Sequence, residues 1–64
     1  MPIIRVEMLD GRTREQKRAL ARELTSTFVR VLGGKPEAVT IVLKDVEKED
    51  WAVAGDLMVD KYPD

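Results

Sequence analysis

The order of three hydrophobic patterns along the chain limits its possible folds to very few. The first pattern lies at residues 3–9, where Ile4, Val6 and Met8 alternate with Arg5 and Glu7. Alternate side chains of an extended strand point to opposite faces, so this segment predicts a strand with one apolar and one polar face. A chain that starts this way must cover the apolar face with a later segment.

The second pattern predicts one long helix. Thr13 and Gln16 match a capping box, in which each side chain satisfies the backbone N–H of the other residue. The apolar positions that follow recur at helical spacing and are Leu20, Leu24, Phe28, Val31 and Leu32. Gly33-Gly34 and then Pro36 are typical of a helix end. We therefore expect a helix from about residue 14 to residue 32.

The third pattern predicts a second strand over residues 39–44, with Val39, Ile41 and Leu43 directed toward the helix. A strand, a helix and a strand in this order form a β-α-β unit with parallel strands. The acidic tract at 45–50 is interpreted as a solvated turn, and residues 51–59 as a short C-terminal hairpin. The predicted fold class is α+β, in a single domain over residues 1–64.

Such a unit is too small to be stable alone. A two-stranded sheet covered by one helix leaves two strand edges and one sheet face open. The 64 residues include neither cysteine nor histidine, so disulfides and the usual structural zinc sites are unavailable. We expect an oligomer that associates through the sheet. Five residues are predicted to be exposed in the single chain and to make the contacts: Val42, Trp51, Val53, Leu57 and Met58.

Composition excludes several classes of protein. With 44% apolar and 36% charged residues and a formal charge of -1, the chain is typical of soluble globular proteins. It has no apolar run of the roughly 20 residues that a membrane span requires and no secretory signal, so we expect a cytoplasmic location. Nucleic-acid binding is disfavoured by the charge and by the few aromatic residues. The basic helix residues that suggest it are Arg14, Lys17, Arg18 and Arg22.

The search for a general base leads to the amino terminus, because no histidine or cysteine is present. Removal of Met1 would leave Pro2 as a free secondary amine. An α-amino group titrates about two pH units or more below lysine, so a neutral amine is accessible near physiological pH. The simpler interpretation is that Pro2 starts a strand at a position where no N–H is needed.

The combination of several segments resembles the 4-oxalocrotonate tautomerase family. These segments are Pro2-Ile3, the turn Leu9-Asp10-Gly11-Arg12-Thr13, Glu15-Gln16-Lys17-Arg18, and Trp51-Ala52-Val53-Ala54-Gly55. The resemblance implies a β-α-β fold with a C-terminal hairpin, a hexameric assembly, and catalysis without metal or organic cofactor.

The same resemblance assigns roles to three residues. Pro2 would be the acid-base catalyst, Arg12 would bind a substrate carboxylate, and Trp51 would line the pocket. The implied substrate is a small 2-hydroxydienoate or 2-oxoenoate carboxylate from aromatic degradation. Without the resemblance, Arg12 is equally well explained as a solvated turn residue and Trp51 as an interface residue.

The sequence departs from the family pattern at one important position. Thr40 stands where the family has a second substrate-binding arginine, and a hydroxyl cannot replace that charge. Lys44 is roughly 13 Å further along the strand, which makes it a poor substitute within one chain. We therefore expect either slow turnover of the usual dicarboxylate or a less charged substrate.

Two further family reactions are disfavoured by small apolar residues. Hydrating relatives have a carboxylate after the aromatic position, where this chain has Ala52 and Val53, and decarboxylating relatives have an aspartate at the position of Ala38. A remaining alternative is a non-catalytic subunit, or one subunit of a hetero-oligomer whose partner supplies the missing arginine.

Overall fold

The computed structural model describes residues 1–63 and confirms the predicted β-α-β unit with a C-terminal hairpin. Its elements are β1 (Ile3–Leu9), α1 (Arg14–Leu32), β2 (Thr40–Val46), β3 (Ala52–Val53), β4 (Asp56–Leu57) and α2 (Met58–Lys61), with single 3-10 turns at Pro36–Ala38 and Lys48–Asp50. Strands β1 and β2 are parallel, from the pair Ile3 and Thr40 to the pair Leu9 and Val46. Strands β3 and β4 form a separate antiparallel pair.

One face of the parallel sheet is covered by α1, as the alternation in β1 predicted. Ile4 and Val6 are half-buried and Met8 is buried, whereas Arg5 and Glu7 are exposed on the opposite face. The half-buried apolar residues of α1 that match this face are Leu20, Ala21, Leu24, Phe28 and Val29. The other face of the sheet, which we call the open face, carries Ile3, Arg5, Glu7, Thr40, Val42 and Lys44.

The ends of α1 agree with the predicted helix signals. Thr13 Oγ1 accepts a hydrogen bond from the Gln16 backbone N–H at 3.1 Å, and the Thr13 N–H donates to Gln16 Oε1 at 2.9 Å. At the other end, Gly33 has a φ of +83° and donates its N–H to the Val29 carbonyl at 2.8 Å. A side chain at that φ would be strained, so glycine is suited to end the helix there.

The last turn of α1 projects past the sheet. Val31 and Leu32 belong to the predicted apolar series but are 65% and 70% exposed. A helix of 19 residues spans about 28 Å, whereas a strand of seven residues spans about 23 Å. The helix therefore leaves an uncovered apolar end beside the amino ends of the strands.

The prediction for the segment after β2 was partly wrong. β2 begins at Thr40 rather than at residue 39, and it continues through Asp45 to Val46, so the solvated turn is shorter than expected. Asp45 and Val46 belong to the strand because they pair with Met8 and Leu9 of β1, and the Asp45 carboxylate also forms an ion pair with the Lys17 ammonium of α1. The solvated turn is confined to Glu47 and Lys48–Asp50.

The predicted C-terminal hairpin is confirmed but covers fewer residues. Ala52–Val53 pairs with Asp56–Leu57 through a two-residue turn, and both turn residues, Ala54 and Gly55, have positive φ values of 55° and 86°. The chain then forms α2 instead of a longer strand, and Tyr62 N–H donates to the Met58 carbonyl at 2.8 Å. This helical turn provides hydrogen-bond partners for the Met58 carbonyl and the Tyr62 N–H, so these groups do not need a strand to pair with.

The isolated chain has almost no closed core. Its radius of gyration is 14.8 Å, whereas a compact domain of this length has a radius of about 11 Å. Within residues 1–63 only Met8 is buried. Val42, Val53 and Leu57 are exposed as predicted, but Trp51 and Met58 are half-buried, because they lie where the hairpin meets α2 and the preceding turn. None of the helices in this part of the chain is long and apolar enough to cross a membrane.

Candidate active site

Pro2 lies at the amino end of β1, next to the start of β2. Its carbonyl accepts a hydrogen bond from the Thr40 backbone N–H at 3.0 Å. Pro2 is half-buried, and the preceding Met1 is 89% exposed. In the sequence as written, the Pro2 nitrogen is part of an amide and has no basicity. Removal of the exposed Met1 would convert it to a secondary amine at the edge of the sheet.

The strand residues next to Pro2 on the open face are uncharged. Thr40 is paired with Ile3, and both side chains are exposed on this face. The first cation along the same face is Arg5, which is paired with Val42. Thr40 is therefore beside the candidate base, and it carries a hydroxyl instead of a guanidinium.

Arg12 lies at the opposite end of the sheet. It is exposed, follows Gly11 in the turn after β1, and donates a hydrogen bond from Nη1 to the Leu9 carbonyl at 2.8 Å. Six strand steps separate Ile3 from Leu9, which corresponds to about 20 Å. The fold therefore does not bring Arg12 to the Pro2 of the same chain.

Trp51 lies at the same end of the sheet as Arg12. It is half-buried, and its carbonyl accepts a hydrogen bond from the Met58 N–H at 2.8 Å. Together with Glu7, Val46 and Ala52 it lines a shallow depression, and Pro2 is not among the lining residues. Two of the three predicted site residues thus share the carboxyl end of the sheet, and the third occupies the amino end.

This separation was not recognised from the sequence, although the signal was present. Pro2 and Arg12 stand on either side of a predicted strand, and a strand places its two ends far apart. A resemblance to an assembled enzyme names the residues of a site but does not say which chain contributes each residue.

The turn that carries Arg12 is held by contacts that sequence reasoning did not single out as functional. On the strand side, the Asp10 N–H donates to the Val46 carbonyl at 3.0 Å. On the helix side, the capping box orders Thr13. Across the two elements, Lys17 Nζ of α1 forms an ion pair with Asp45 Oδ2 of β2. Arg12 is therefore a restrained residue at the end of the sheet.

Three exposed carboxylates cluster in the turn after β2. Oxygen atoms of Glu47, Glu49 and Asp50 lie within 4.8 Å of one another. A hydrogen bond that protonated Glu47 donates to the Glu49 carboxylate, together with the negative charges of Glu49 and Asp50, raises the pKa of Glu47 above its ordinary value. These carboxylates are at the end of the sheet away from Pro2. Their spacing could suit a cation, but exposed acidic turns commonly have this arrangement without one.

Comparison with known proteins identifies relatives over nearly the whole chain. The family model described as tautomerase enzyme matches residues 2–61. A "probable tautomerase" of Bacillus cereus is 38% identical over 61 residues, which cover 95% of this chain and 100% of that protein. The 2-hydroxymuconate tautomerase of Comamonas testosteroni is 38% identical over 55 residues, covering 86% of this chain and 87% of that protein.

Solved structures show the same fold. A 4-oxalocrotonate tautomerase homologue of the tomaymycin biosynthetic pathway superimposes with a TM-score of 0.93 at 32% identity, covering 98% of this chain and 97% of that one. A heterohexamer 4-oxalocrotonate tautomerase from Chloroflexus aurantiacus gives a TM-score of 0.89 at 32% identity, covering 94% and 97%. The matched segment, the identity and the shared architecture agree, and the chain belongs to the tautomerase family.

Proposed function

We propose that the chain, once Met1 is removed, is a cofactor-independent isomerase that moves a proton within a small 2-hydroxydienoate or 2-oxoenoate carboxylate. Pro2 is the acid-base group. The support is membership in the tautomerase family, together with the exposed Met1 and the position of Pro2 at the edge of the sheet.

The chemistry requires one base. The dienol loses its hydroxyl proton while a carbon of the conjugated system gains one, and the product is the 2-oxo tautomer with the same atoms. A neutral secondary amine can accept the first proton and deliver it to the carbon. Efficient proton transfer needs a group whose pKa is near the working pH, which an α-amino group meets better than lysine.

The observation that carries the proposal furthest is the separation of about 20 Å along the strand between the ends that hold Pro2 and Arg12. A substrate of a few ångströms cannot bridge that distance, so the Arg12 that binds its carboxylate must come from a neighbouring chain. Trp51, at the same end as Arg12, would arrive from a neighbouring chain as well. The active site then lies between subunits, and catalysis requires oligomerisation through the open face.

A second candidate is supported by Thr40. The strand residues next to Pro2 on the open face carry no charge. This favours a subunit that is non-catalytic or that needs a related partner to supply the second cation. The Chloroflexus aurantiacus relative is described as a heterohexamer, so mixed assembly has a precedent among structures of this fold. We propose a catalytic homo-oligomer, and inactivity of the processed chain alone in the test below would favour the partner-dependent subunit instead.

The first test uses intact mass to establish removal of Met1, followed by an ultraviolet assay of 2-hydroxymuconate ketonisation. We expect turnover by the processed protein and at least a hundredfold loss, a value typical of removing a general base, in Pro2→Ala. Protein that retains Met1 should be equally inactive. Turnover that survives in Pro2→Ala would contradict the proposal, and inactive processed protein would favour the partner-dependent subunit.

The composite site has its own test. Pro2→Ala and Arg12→Ala are prepared as separate inactive proteins, dissociated, mixed and reassembled. Mixed oligomers contain some sites with an intact Pro2 from one chain and an intact Arg12 from another, so activity should return. No return of activity in verified mixed oligomers would show that both residues act within one chain.

A further inference from the structure

The turn between β1 and α1 has to hold Arg12 in place although it contains a flexible residue. Gly11, directly before Arg12, has a φ of +116°, a conformation open mainly to glycine. Arg12 itself is exposed, and its side chain is held by a hydrogen bond to the Leu9 carbonyl at 2.8 Å. The position of its guanidinium therefore depends on how the two elements around the turn are fixed.

Each side of the turn is fastened to its own element. The Asp10 N–H bonds to the Val46 carbonyl and ties the start of the turn to β2. The capping box ties Thr13 to the first turn of α1. Neither contact joins α1 directly to the sheet, so the position of Arg12 also depends on how the first turn of α1 is held against β2.

The contact that links the helix to the sheet at this end is the ion pair between Lys17 and Asp45. Lys17 is one helical turn from Thr13, and the Lys17 backbone N–H donates a hydrogen bond to the Thr13 carbonyl at 3.1 Å. Asp45 directly precedes Val46, the acceptor for Asp10. The two side chains are 31% and 36% exposed, so water screens this pair less than a fully exposed one. The ion pair closes a ring of contacts around the turn.

We propose that Lys17 and Asp45 are positioning residues for Arg12 and determine how tightly the substrate carboxylate binds. This inference rests on the proposed role of Arg12. A guanidinium binds a carboxylate through two parallel hydrogen bonds, which require a defined position and angle. A displacement of about 1 Å in a substrate-positioning group can cost up to a hundredfold in rate or affinity.

The test compares Lys17→Met with Arg18→Met in the Met1-processed oligomer. Both variants remove a cation from the same helical turn, but Arg18 is exposed to solvent. We expect Lys17→Met to raise KM about tenfold with kcat within twofold, on the scale of a modest misplacement. Amide exchange of Asp10 and Thr13 should become faster. Arg18→Met should change neither KM nor the amide exchange rates, and Lys17→Arg should restore the wild-type values of both.

Asp45→Asn serves as the second variant, because it keeps the side-chain shape and does not depend on Lys17→Met folding. Unchanged exchange at Asp10 and Thr13 in both variants would overturn the inference. So would faster exchange with unchanged KM, or a fall in kcat that Lys17→Arg does not restore. Failure of the proposed function is seen separately, as absence of turnover in the unsubstituted protein or as a wild-type KM in Arg12→Ala.

Discussion

Thr40 is the residue at which this chain differs most in chemistry from the enzyme it resembles. Its N–H bonds to the Pro2 carbonyl, so its place beside the base follows from strand pairing and not from its side chain. The side chain is exposed on the open face and contributes no charge. The substrate that this edge of the sheet favours should therefore carry less negative charge than a dicarboxylate.

The substitution Thr40→Arg should shift the substrate preference toward dicarboxylates. A charge-assisted hydrogen bond to a second carboxylate is worth about 1.5–3 kcal/mol, or roughly 10- to 150-fold in affinity. We expect kcat/KM to rise by that range for 2-hydroxymuconate and to stay nearly constant for a monocarboxylate 2-hydroxydienoate. Ser26→Arg, on the exposed side of α1, is the matched control. An equal gain on both substrates would contradict the charge-based explanation.

At the scale of elements, the β3-β4 hairpin is joined by a strained turn. Ala54 has a φ of 55° and Gly55 a φ of 86°. Both positions of a turn of this kind require positive φ, for which Asn-Gly is the favoured pair. Alanine is out of place at the first position, since a left-handed conformation costs it about 1–2 kcal/mol.

Replacing Ala54 should therefore stabilise the hairpin. We expect Ala54→Asn to raise the free energy of unfolding by about 1 kcal/mol, and Gly55→Ala to lower it by a similar amount. Urea unfolding at a single chain concentration measures both, because the stability of an oligomer depends on concentration. The prediction requires that the free energy of unfolding rises in Ala54→Asn and falls in Gly55→Ala. A fall in both variants would mean that Ala54 has another role.

The acidic turn at Glu47 predicts a dependence of stability on pH. The pKa of Glu47 is raised in the folded state above its ordinary value of 4.5, first by the hydrogen bond with Glu49 and then by the charges of Glu49 and Asp50. The folded state therefore holds this proton more tightly than the unfolded state. The resulting stability is fully present below about pH 4.5 and is lost as the pH rises through the folded pKa.

Glu47→Gln removes that repulsion and should increase Tm at pH 7 in low salt, with a smaller difference from wild type near pH 4. High salt should reduce the difference, because the group is exposed and its neighbours are screened. Thermal unfolding over this pH range checks the prediction. A larger advantage of Glu47→Gln in acid than at neutral pH would contradict it.

At the scale of the whole molecule, the single chain is extended and has a large exposed surface. It measures 43 × 24 × 15 Å and exposes 5151 Å², whereas a folded monomer of 7.3 kDa exposes about 4,200 Å². The excess consists partly of the open face, the hairpin and the projecting end of α1. We expect burial of these apolar surfaces between subunits to supply the core that one chain lacks.

A charge on the open face should therefore prevent assembly. We expect Val42→Asp to shift the sedimentation coefficient toward that of a monomer and to abolish turnover, because the site is proposed to form between chains. Thr27→Asp, on the exposed side of α1, should retain the oligomer and the activity. A wild-type chain that sediments as a stable folded monomer would contradict both the expected assembly and the proposed site between chains.

The local elements could be predicted because each is specified by neighbouring residues. Alternation set the two faces of β1, and the capping box and the glycine after Leu32 set the ends of α1. The hairpin was predicted in place but not in length, since α2 begins at Met58 directly after β4. The extra residues of β2 were missed, because Asp45 and Val46 belong to the strand through pairing with Met8 and Leu9, which lie 37 positions earlier.

For the site, the amino-acid sequence specifies which residue types are available: a proline proposed as the base, an arginine proposed to bind the carboxylate, and a threonine where the family resemblance implies a second arginine. Their positions depend on the tertiary fold. Pro2 and Thr40 come together because parallel pairing aligns the starts of two strands, and Arg12 is carried to the far end because it follows the first strand. These distances arise from pairing between remote segments, which no local pattern specifies.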